Sequence, residues 1–292
     1  IQPSLPTIAQ SFKVSGIYSS SSFFLSHRLH DVILVVNFNY HSHIQTTLPY
    51  LWRLYSPYFD HILWFTDLFY DLDHWPDPHG NGDIPVTVAD NVIVFVRRRS
   101  TDRGWTSYSE IIEAASIATH SVNLSHIIGV LYLMDDAVIF PWNWDRLITT
   151  APSVANPTTF TKFSCYPTAW ALTQTSWFWS IPRCSQEIDH IAKERPDIAS
   201  VQEVCVSPAE VYYLPRVLWD SYSSIASVYS YRNVIHECAI GTILRESCRK
   251  AGRNDLIPKN LDSSARYLIG DERETPMNYY SPGVTSYLHP IK

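Results

Sequence analysis

No cysteine occurs before Cys165. The five present, Cys165, Cys184, Cys205, Cys238 and Cys248, include no C-x-x-C pair, which excludes the common ligand spacing of a structural zinc site. Their odd number leaves at least one thiol unpaired within the chain or joined to another chain. Long apolar runs are missing too: none reaches the roughly 18 residues that a membrane-spanning helix needs. Internal repeats, heptads and basic tracts are absent. Positive charge is in deficit, with 22 Lys and Arg against 28 Asp and Glu, a formal net charge of -6. That argues against a protein whose affinity comes from neutralising nucleic-acid phosphates. Charged residues make up only 17% of the 292 and hydrophobic residues 46%. The chain is therefore globular, with length for one large domain or two small ones. Aromatics reach 14%, including 10 Trp and 18 Tyr; such rings line sugar and base sites, although as large apolar groups most simply pack.

Residues 1–26 carry Pro3, Pro6 and a serine run at 19–22, with no period, and read as a peripheral segment. Residues 31–38, DVILVVNF, have the β-branched apolar composition of a central strand covered on both faces; Asn37, Asn39 and Tyr40 end it. Ile44, Leu48, Leu51, Trp52 and Tyr55 then make a helical stripe in which Pro49 predicts a late start or a kink. HILWF, residues 61–65, predicts a second strand, ending at Thr66 and Asp67. After a polar loop over 71–85, NVIVFV at 91–96 predicts a third. Residues 106–120 read as a helix, with Ser107 and Glu110 at capping-box spacing and Ile111, Ala115 and Ala118 on one face. Further on, 170–179 is aromatic-rich and suits a strand, and 211–226 is mixed. Residues 233–250 read as a helix with Asn233 as N-cap, Gly252 as its C′ stop and Pro258 beyond.

The stretch that organises these elements is GVLYLMDDAVIFPWNWDR, residues 129–146. An apolar run over 130–134 ends in adjacent carboxylates, Asp135 and Asp136, and a second apolar run follows over 137–140. A run this short, bounded by polar residues, reads as a buried strand. Two carboxylates at its end repel each other unless a cation or a shared proton holds them. Mg²⁺ or Mn²⁺ with oxygen ligands meets that need, and such an ion usually also binds a substrate phosphate. The plainer alternative is a strand-end turn, where Asp is common for its local hydrogen bonds. Strands alternating with helices imply an α/β fold with a mostly parallel central sheet flanked by helices. Ligands of such sheets sit outside the carboxyl ends of the strands. Asn37, Asn39, Asp67, Arg97 and Asp135-Asp136 are thereby expected around one crevice.

A strand-end pair of acids in mid-chain, after a nucleotide-fold-like half, resembles the D-x-D element of GT-A glycosyltransferases, held here as Met134-Asp135-Asp136. The segment also resembles the L-D-D-D run of exostosin-like transferases, as Leu133-Met134-Asp135-Asp136, with Met134 in the place of the first acid. Residues 211–244, VYYLPRVLWDSYSSIASVYSYRNVIHECAIGTIL, are similar in layout to the exostosin-like stretch that leads into an N-C-E-D helix. Ile235-His236-Glu237-Cys238 are the matching residues, with Cys238 where an Asp is expected. STELLO-like proteins are a further similar family. The resemblance implies a GT-A-like domain over 27–292, with 31–146 as the nucleotide-sugar half and 147–292 as the acceptor half and tail. It implies Asp136 as metal ligand, Asp135 as ribose or second metal contact, and His289 completing the metal shell. The implied activity is transfer of a sugar from a nucleotide-sugar, a UDP-sugar favoured, to a glycan or protein-linked acceptor, with Mn²⁺ or Mg²⁺. The implied location is the Golgi lumen. The sequon at Asn123 and the start at Ile1 instead of Met fit a secreted chain trimmed of its anchor.

A departing nucleoside diphosphate needs its developing charge offset by a cation. Arg97, Arg98, Arg99 and Arg103 follow the third strand, and Arg97 and Arg103 are candidates to grip the diphosphate through a forked guanidinium; the plain alternative is a solvated cationic loop. Asn37 and Asn39 are candidates for a base edge, or else turn residues. Glu237, in a first helical turn where the dipole favours a carboxylate, is the candidate catalytic base or acceptor-orienting group. The alternative is helix-dipole decoration. Three other readings compete. His41-Ser42-His43 resembles the H-x-H of metal-dependent hydrolases, but that pattern needs His or Asp at later strand ends, and His61 and His74 do not fall there. Met134-Asp135-Asp136 also resembles the Y-M-D-D hairpin of reverse transcriptases, which the acidic total opposes. Last is a binding module that keeps the fold without catalysis.

Overall fold

Val32, Leu34 and Val36 belong to one hydrophobic cluster and Ile33 and Val35 to another, so the first apolar run is buried on both faces as its composition predicts. A computed structural model describes residues 10–12, 29–38, 44–66, 93–97, 108–120, 125–135, 137–141, 153–155, 164–167, 182–198, 203–206, 210–256, 259–261, 265–267 and 287–289. In chain order the elements are β1 (Gln10–Phe12), β2 (Val32–Asn37), α1 (Ile44–Tyr55), β3 (His61–Thr66), β4 (Ile93–Arg97), α2 (Tyr108–His120), β5 (Gly129–Met134), β6 (Val138–Ile139), β7 (Ser153–Ala155), β8 (Ser164–Pro167), α3 (Pro182–Glu194), β9 (Glu203–Val206), β10 (Val211–Pro215), α4 (Trp219–Tyr231), α5 (His236–Lys250), β11 (Lys259–Leu261), β12 (Ala265–Tyr267) and β13 (Tyr287–His289).

The main sheet has the order β1-β4-β3-β2-β5-β10-β7-β11. Strands β4, β3, β2 and β5 are parallel to one another. This is the expected α/β sheet, flanked by helices. One cluster lies under α2, α3, α4 and α5; the other lies under α1. Three expectations change. The peripheral segment contributes an edge strand, β1, antiparallel to β4. The mixed segment after 211 divides cleanly, giving β10, antiparallel to β5, and then α4. Helix α1 begins at Ile44 and contains Pro49, so there is no late start: burial of Leu48, Leu51 and Tyr55, at ~1.5–3 kcal/mol per large apolar side chain, outweighs the one helical bond that proline forgoes.

Asn233 is not the N-cap of the following helix. It has φ 52° and closes the preceding one: Val234 N–H donates to Tyr229 O, and Asn233 N–H donates to Ser230 O. These two bonds are a Schellman stop on α4, with Asn at the left-handed position. Asn suits both places, since its short amide caps helices and tolerates positive φ; the N-cap of α5 is Ile235. Gly252 closes α5 as expected, at φ 66°, with Arg253 N–H on Cys248 O and Gly252 N–H on Arg249 O.

Cysteine accounts for a second fold region. Cys165 on β8 and Cys205 on β9 are direct register partners and are joined in a disulfide. Thr242 of α5 accepts a hydrogen bond from Cys205 N–H at 2.9 Å, which fixes β9 to that helix. Cys238 is also disulfide-bonded. Cys248 is free and buried, an unpaired thiol as the odd count requires. It donates to Leu256 O at 2.6 Å, and burial pushes its pKa up to about 12.

A chain of buried polar contacts runs through the helix-rich layer. Asn37 Nδ2 donates to Tyr132 Oη at 2.9 Å, and the Tyr132 and Tyr212 rings stack with centroids 4.7 Å apart. Tyr212 Oη lies 3.4 Å from Tyr222 Oη, which donates to Tyr108 O at 3.0 Å. Tyr108 Oη donates to Val234 O at 2.8 Å. Burial raises the Tyr212 and Tyr222 pKa values, and Glu110, itself 2% exposed, adds to both shifts.

Two stability outcomes follow from this packing. A Cβ on Gly129 would lie 2.2 Å from Tyr213 Oη and 2.4 Å from Cζ, and that ring is 1% exposed with its hydroxyl bonded to Ile128 O. Gly129→Ala is expected to cost ~1–3 kcal/mol through overpacking, and the cost should shrink in a Tyr213→Leu background when urea midpoints are compared around the cycle. Tyr132→Phe takes the partner of Asn37 Nδ2 away inside the core and is expected to cost ~1–3 kcal/mol with an unchanged urea m-value; a loss below ~0.5 kcal/mol would contradict the role given to this bond.

Candidate functional site

The strand that runs into the two carboxylates is enclosed within the sheet. All six residues of β5 are buried, between β2 on one side and β10 on the other. At its carboxyl end the chain turns: Ala137 N–H donates to Met134 O at 3.1 Å, and Asp135 N–H donates to Asn37 O at 3.0 Å. Asp135 is 6% exposed. Asp135 therefore stands at the carboxyl end of a central parallel strand, the expected ligand edge of an α/β sheet. Asp136 lies outside the described residues.

The chain beyond the turn does not form a hairpin with β5. β6 pairs instead with β13, and Ile139 N–H donates to Tyr55 Oη of α1 at 3.1 Å. The hairpin reading borrowed from reverse transcriptases is therefore excluded, since β5 lies between β2 and β10. The β6–β13 pairing has a second result. Leu288 is the partner of Val138, and the next step of that antiparallel register sets His289 opposite Ala137. The tail histidine thus comes to a backbone position beside the turn, although about 150 residues separate them in sequence.

Glu237 reaches the same edge by another route. Because β4 and β5 run parallel, the helix that links them, α2, must start at the carboxyl edge. Its first residue, Tyr108, donates to Val234 O, two positions before α5 begins at His236. Glu237 is therefore in the first turn of a helix that starts at this edge. Its side chain is 22% exposed, and its Oε2 is 3.5 Å from Nε2 of His236, whose side chain is 6% exposed. Cys238, where the resembling families carry an acid, is fully buried and spent on a disulfide.

Asn37 ends β2 at the register position of Met134, but it is fully buried with its amide nitrogen on Tyr132. It supports the edge from below. Arg97 ends β4 at the same edge, its side chain outside the described residues, as is that of His289. Asn39, Asp67, Arg103, His41, His43, His74, Asn123 and the 170–179 segment also lie outside them. His61 is at the opposite, amino end of the sheet, its ring 5.7 Å from that of His126 and near the pair His30 Nδ1–Asp60 Oδ2 at 2.5 Å. Burial holds its imidazole below the usual histidine range. It therefore contributes nothing to a hydrolase centre at the carboxyl edge. Among the described residues, no group of three His, Cys, Asp or Glu is arranged to hold a metal ion, and no helix is long and apolar enough to cross a membrane.

Sequence reading missed Glu210. It directly precedes β10, just before the stretch 211–226 that read as mixed, and its carbonyl accepts a bond from Met134 N–H at 2.9 Å. The signal available was its position just before an apolar run of five, VYYLP, at a strand start.

No family model matches the chain, and no curated protein matches it in sequence. Among solved structures it is similar to core-mannan synthase A from Aspergillus fumigatus in a Mn/GDP form, at 10% identity over 82% of this chain and 79% of that one, with a TM-score of 0.36. It is also similar to the mannosyltransferase Ktr4p from S. cerevisiae, at 9% identity, 80% and 70% coverage and a TM-score of 0.37. The same enzyme in complex with GDP matches at 10% identity, 82% and 73% coverage and a TM-score of 0.35. With TM-scores below 0.5, these likenesses do not bear on activity.

Proposed function

We propose that this chain is a metal-dependent glycosyltransferase that moves a sugar from a nucleotide-sugar to a glycan or protein-linked acceptor. The observation that carries the reading is Asp135, buried at the carboxyl end of a central parallel strand, with Asp136 next to it in sequence. The backbone of His289 is registered beside the turn after β5, and Glu237 opens a helix at the same edge. Two carboxylates and an imidazole are a donor set that suits Mn²⁺ and, with water, Mg²⁺; Asp136, Asp135 and His289 are the residues that would hold the ion. When bound, such an ion offsets the charge that develops on a departing diphosphate. Arg97 and Arg103 are the side chains proposed to grip that diphosphate. Glu237 is proposed to take the proton from the acceptor hydroxyl, with His236 beside it to fix its orientation. A UDP-sugar remains the favoured donor, tested beside GDP and CMP.

Residence in the secretory pathway is part of the proposal. It is supported by the Cys165–Cys205 disulfide and the disulfide at Cys238, since such bonds persist in oxidising compartments. The competing binding module without catalysis is favoured by one observation, the structural use of Cys238 where an acid is expected.

Titration calorimetry with UDP, GDP and CMP, with and without Mn²⁺, tests the donor half of this proposal. Asp136→Asn is expected to lower nucleotide affinity about tenfold or more in Mn²⁺, down to the metal-free value, as befits loss of a charged contact. An affinity that Mn²⁺ still raises in this variant would rule out Asp136 as a ligand. For the acceptor half, Glu237→Gln keeps the shape of the side chain and removes the base. It is expected to lower transfer by ~10²–10⁴-fold while nucleotide affinity stays unchanged. Wild-type transfer in that variant would leave Glu237 as a helix-dipole carboxylate, worth only ~0.3–1 kcal/mol of stability.

A further inference from the structure

The helix that presents Glu237 starts without a side-chain cap. Its N-cap is Ile235, in extended conformation and with no side-chain bond to the first turn; an isoleucine offers no oxygen to first-turn amides, as Ser, Thr, Asp or Asn do. The first internal bonds, from Cys238 N–H and Ala239 N–H, both fall on the carbonyl of Ile235 at 3.1 Å. End turns are the part of a helix most given to fraying. This one is held by a covalent tie: Cys238, next to Glu237, is fully buried and disulfide-bonded. The tie continues along the helix. Thr242 and Arg245 follow Cys238 at helical spacing and share its face of α5. Thr242 Oγ1 accepts Cys205 N–H at 2.9 Å, and Arg245 Nη1 lies 3.5 Å from Cys205 Sγ. Cys205 is itself bonded to Cys165. One face of α5 is thus braced from its first turn onward, and Glu237 sits where the brace begins.

We infer that Cys238 is a positioning residue for the proposed reaction: its disulfide holds the first turn of α5, and with it the Glu237 carboxylate, in one place at the carboxyl edge; the inference rests on the glycosyltransferase reading above. Packing alone does not do this. Apolar contacts at Cys238 and Ala239 resist exposure but have no preferred direction, whereas a disulfide allows only a narrow range of separations between the two backbone positions it joins. A general base needs that accuracy. It has to stand within hydrogen-bond reach of the acceptor hydroxyl, and a misplacement of about 1 Å costs on the order of a hundredfold in rate. Donor binding does not depend on this turn, because the residues assigned to the ion and the diphosphate belong to other segments of the chain. The bond therefore bears on turnover and not on nucleotide affinity. On this reading the cysteine that stands where the resembling families carry an acid serves the base beside it.

The test breaks the bond with Cys238→Ala and Cys238→Val. It follows transfer from UDP-glucose and GDP-mannose to methyl glycosides, UDP and GDP binding by calorimetry in Mn²⁺, and hydrogen exchange of the Cys238, Ala239 and Ile240 amides. The expected result is a kcat lowered about ten- to hundredfold, with donor KM and nucleotide affinity unchanged and faster exchange confined to the first turn of α5. In a Glu237→Gln background the same substitutions are expected to bring no further loss, because the bond acts through a carboxylate that is already gone. A loss that multiplies with that of Glu237→Gln, a kcat kept without the bond, or unchanged exchange in the first turn overturns the role of Cys238 and leaves the parent reading intact. If these variants fail to fold, the Cys165→Ala/Cys205→Ala protein replaces them: Thr242 keeps its bond from the residue 205 amide, and the disulfide at Cys238 remains for a phosphine to reduce. Reduction is then expected to bring the same drop in kcat, and reoxidation to restore it; turnover indifferent to both overturns the role of Cys238. Oxidised wild type that neither binds UDP or GDP nor transfers sugar overturns the parent reading, and this one with it.

Discussion

Everything at the carboxyl edge stands on one buried hydrogen bond, from Asn37 Nδ2 to Tyr132 Oη. It ties β2 to β5 directly beneath Asp135, and the Asn37 carbonyl receives Asp135 N–H in the same place. A buried amide without partners is costly, of the order of 1–3 kcal/mol per group, so the bond permits one register and penalises a slip. The chain of contacts then spreads through Tyr212, Tyr222 and Tyr108 to the carbonyl of Val234. Three strands and the starts of two helices are thereby referred to one another by polar groups with fixed directions, which apolar packing alone would not impose.

The placement of Glu237 shows how local backbone chemistry serves that network. The polypeptide has to leave α4, reverse and enter α5 within Arg232 to Ile235. Asn233 makes this possible by taking a left-handed conformation, which lets the last carbonyls of α4 be satisfied by Asn233 and Val234 amides. Val234 is then left with its carbonyl pointing at Tyr108. One residue's tolerance of positive φ thus decides where the acidic turn of α5 lies relative to the sheet.

The amino-acid pattern spoke clearly where local and global preferences agree. Strands β2, β3, β4 and β5 are short apolar runs, and their order with helices announces a parallel sheet; Gly252 announces a helix stop. It was silent where partners are remote. Nothing around Val211 tells that VYYLP lies antiparallel to β5, because that neighbour is chosen by burial of Tyr212 on Tyr132. The same silence hid Glu210, whose relevance comes only from its partner Met134. Asn37 was read as a candidate for a base edge, or else a turn residue, because it ends an apolar strand; its bond to a tyrosine 95 positions away has no local signal. Asn233 was assigned to the wrong helix because the same amide suits a cap and a left-handed stop. His289 was singled out by resemblance, and its approach to the acid turn depends on the pairing of two very short strands, β6 and β13.

Cys248 gives this architecture an internal clock. Its thiol lies in the last turn of α5, bonded to Leu256 O, with its pKa raised by burial. At neutral pH the reactive thiolate is scarce and out of reach. Alkylation must therefore wait for the end of α5 and the turn after it to part from each other, an opening event with its own free energy. The rate at which an iodoacetamide-type reagent captures Cys248 in the oxidised protein measures how often that end of the helix lets go, at the end far from Glu237 and without any label being introduced.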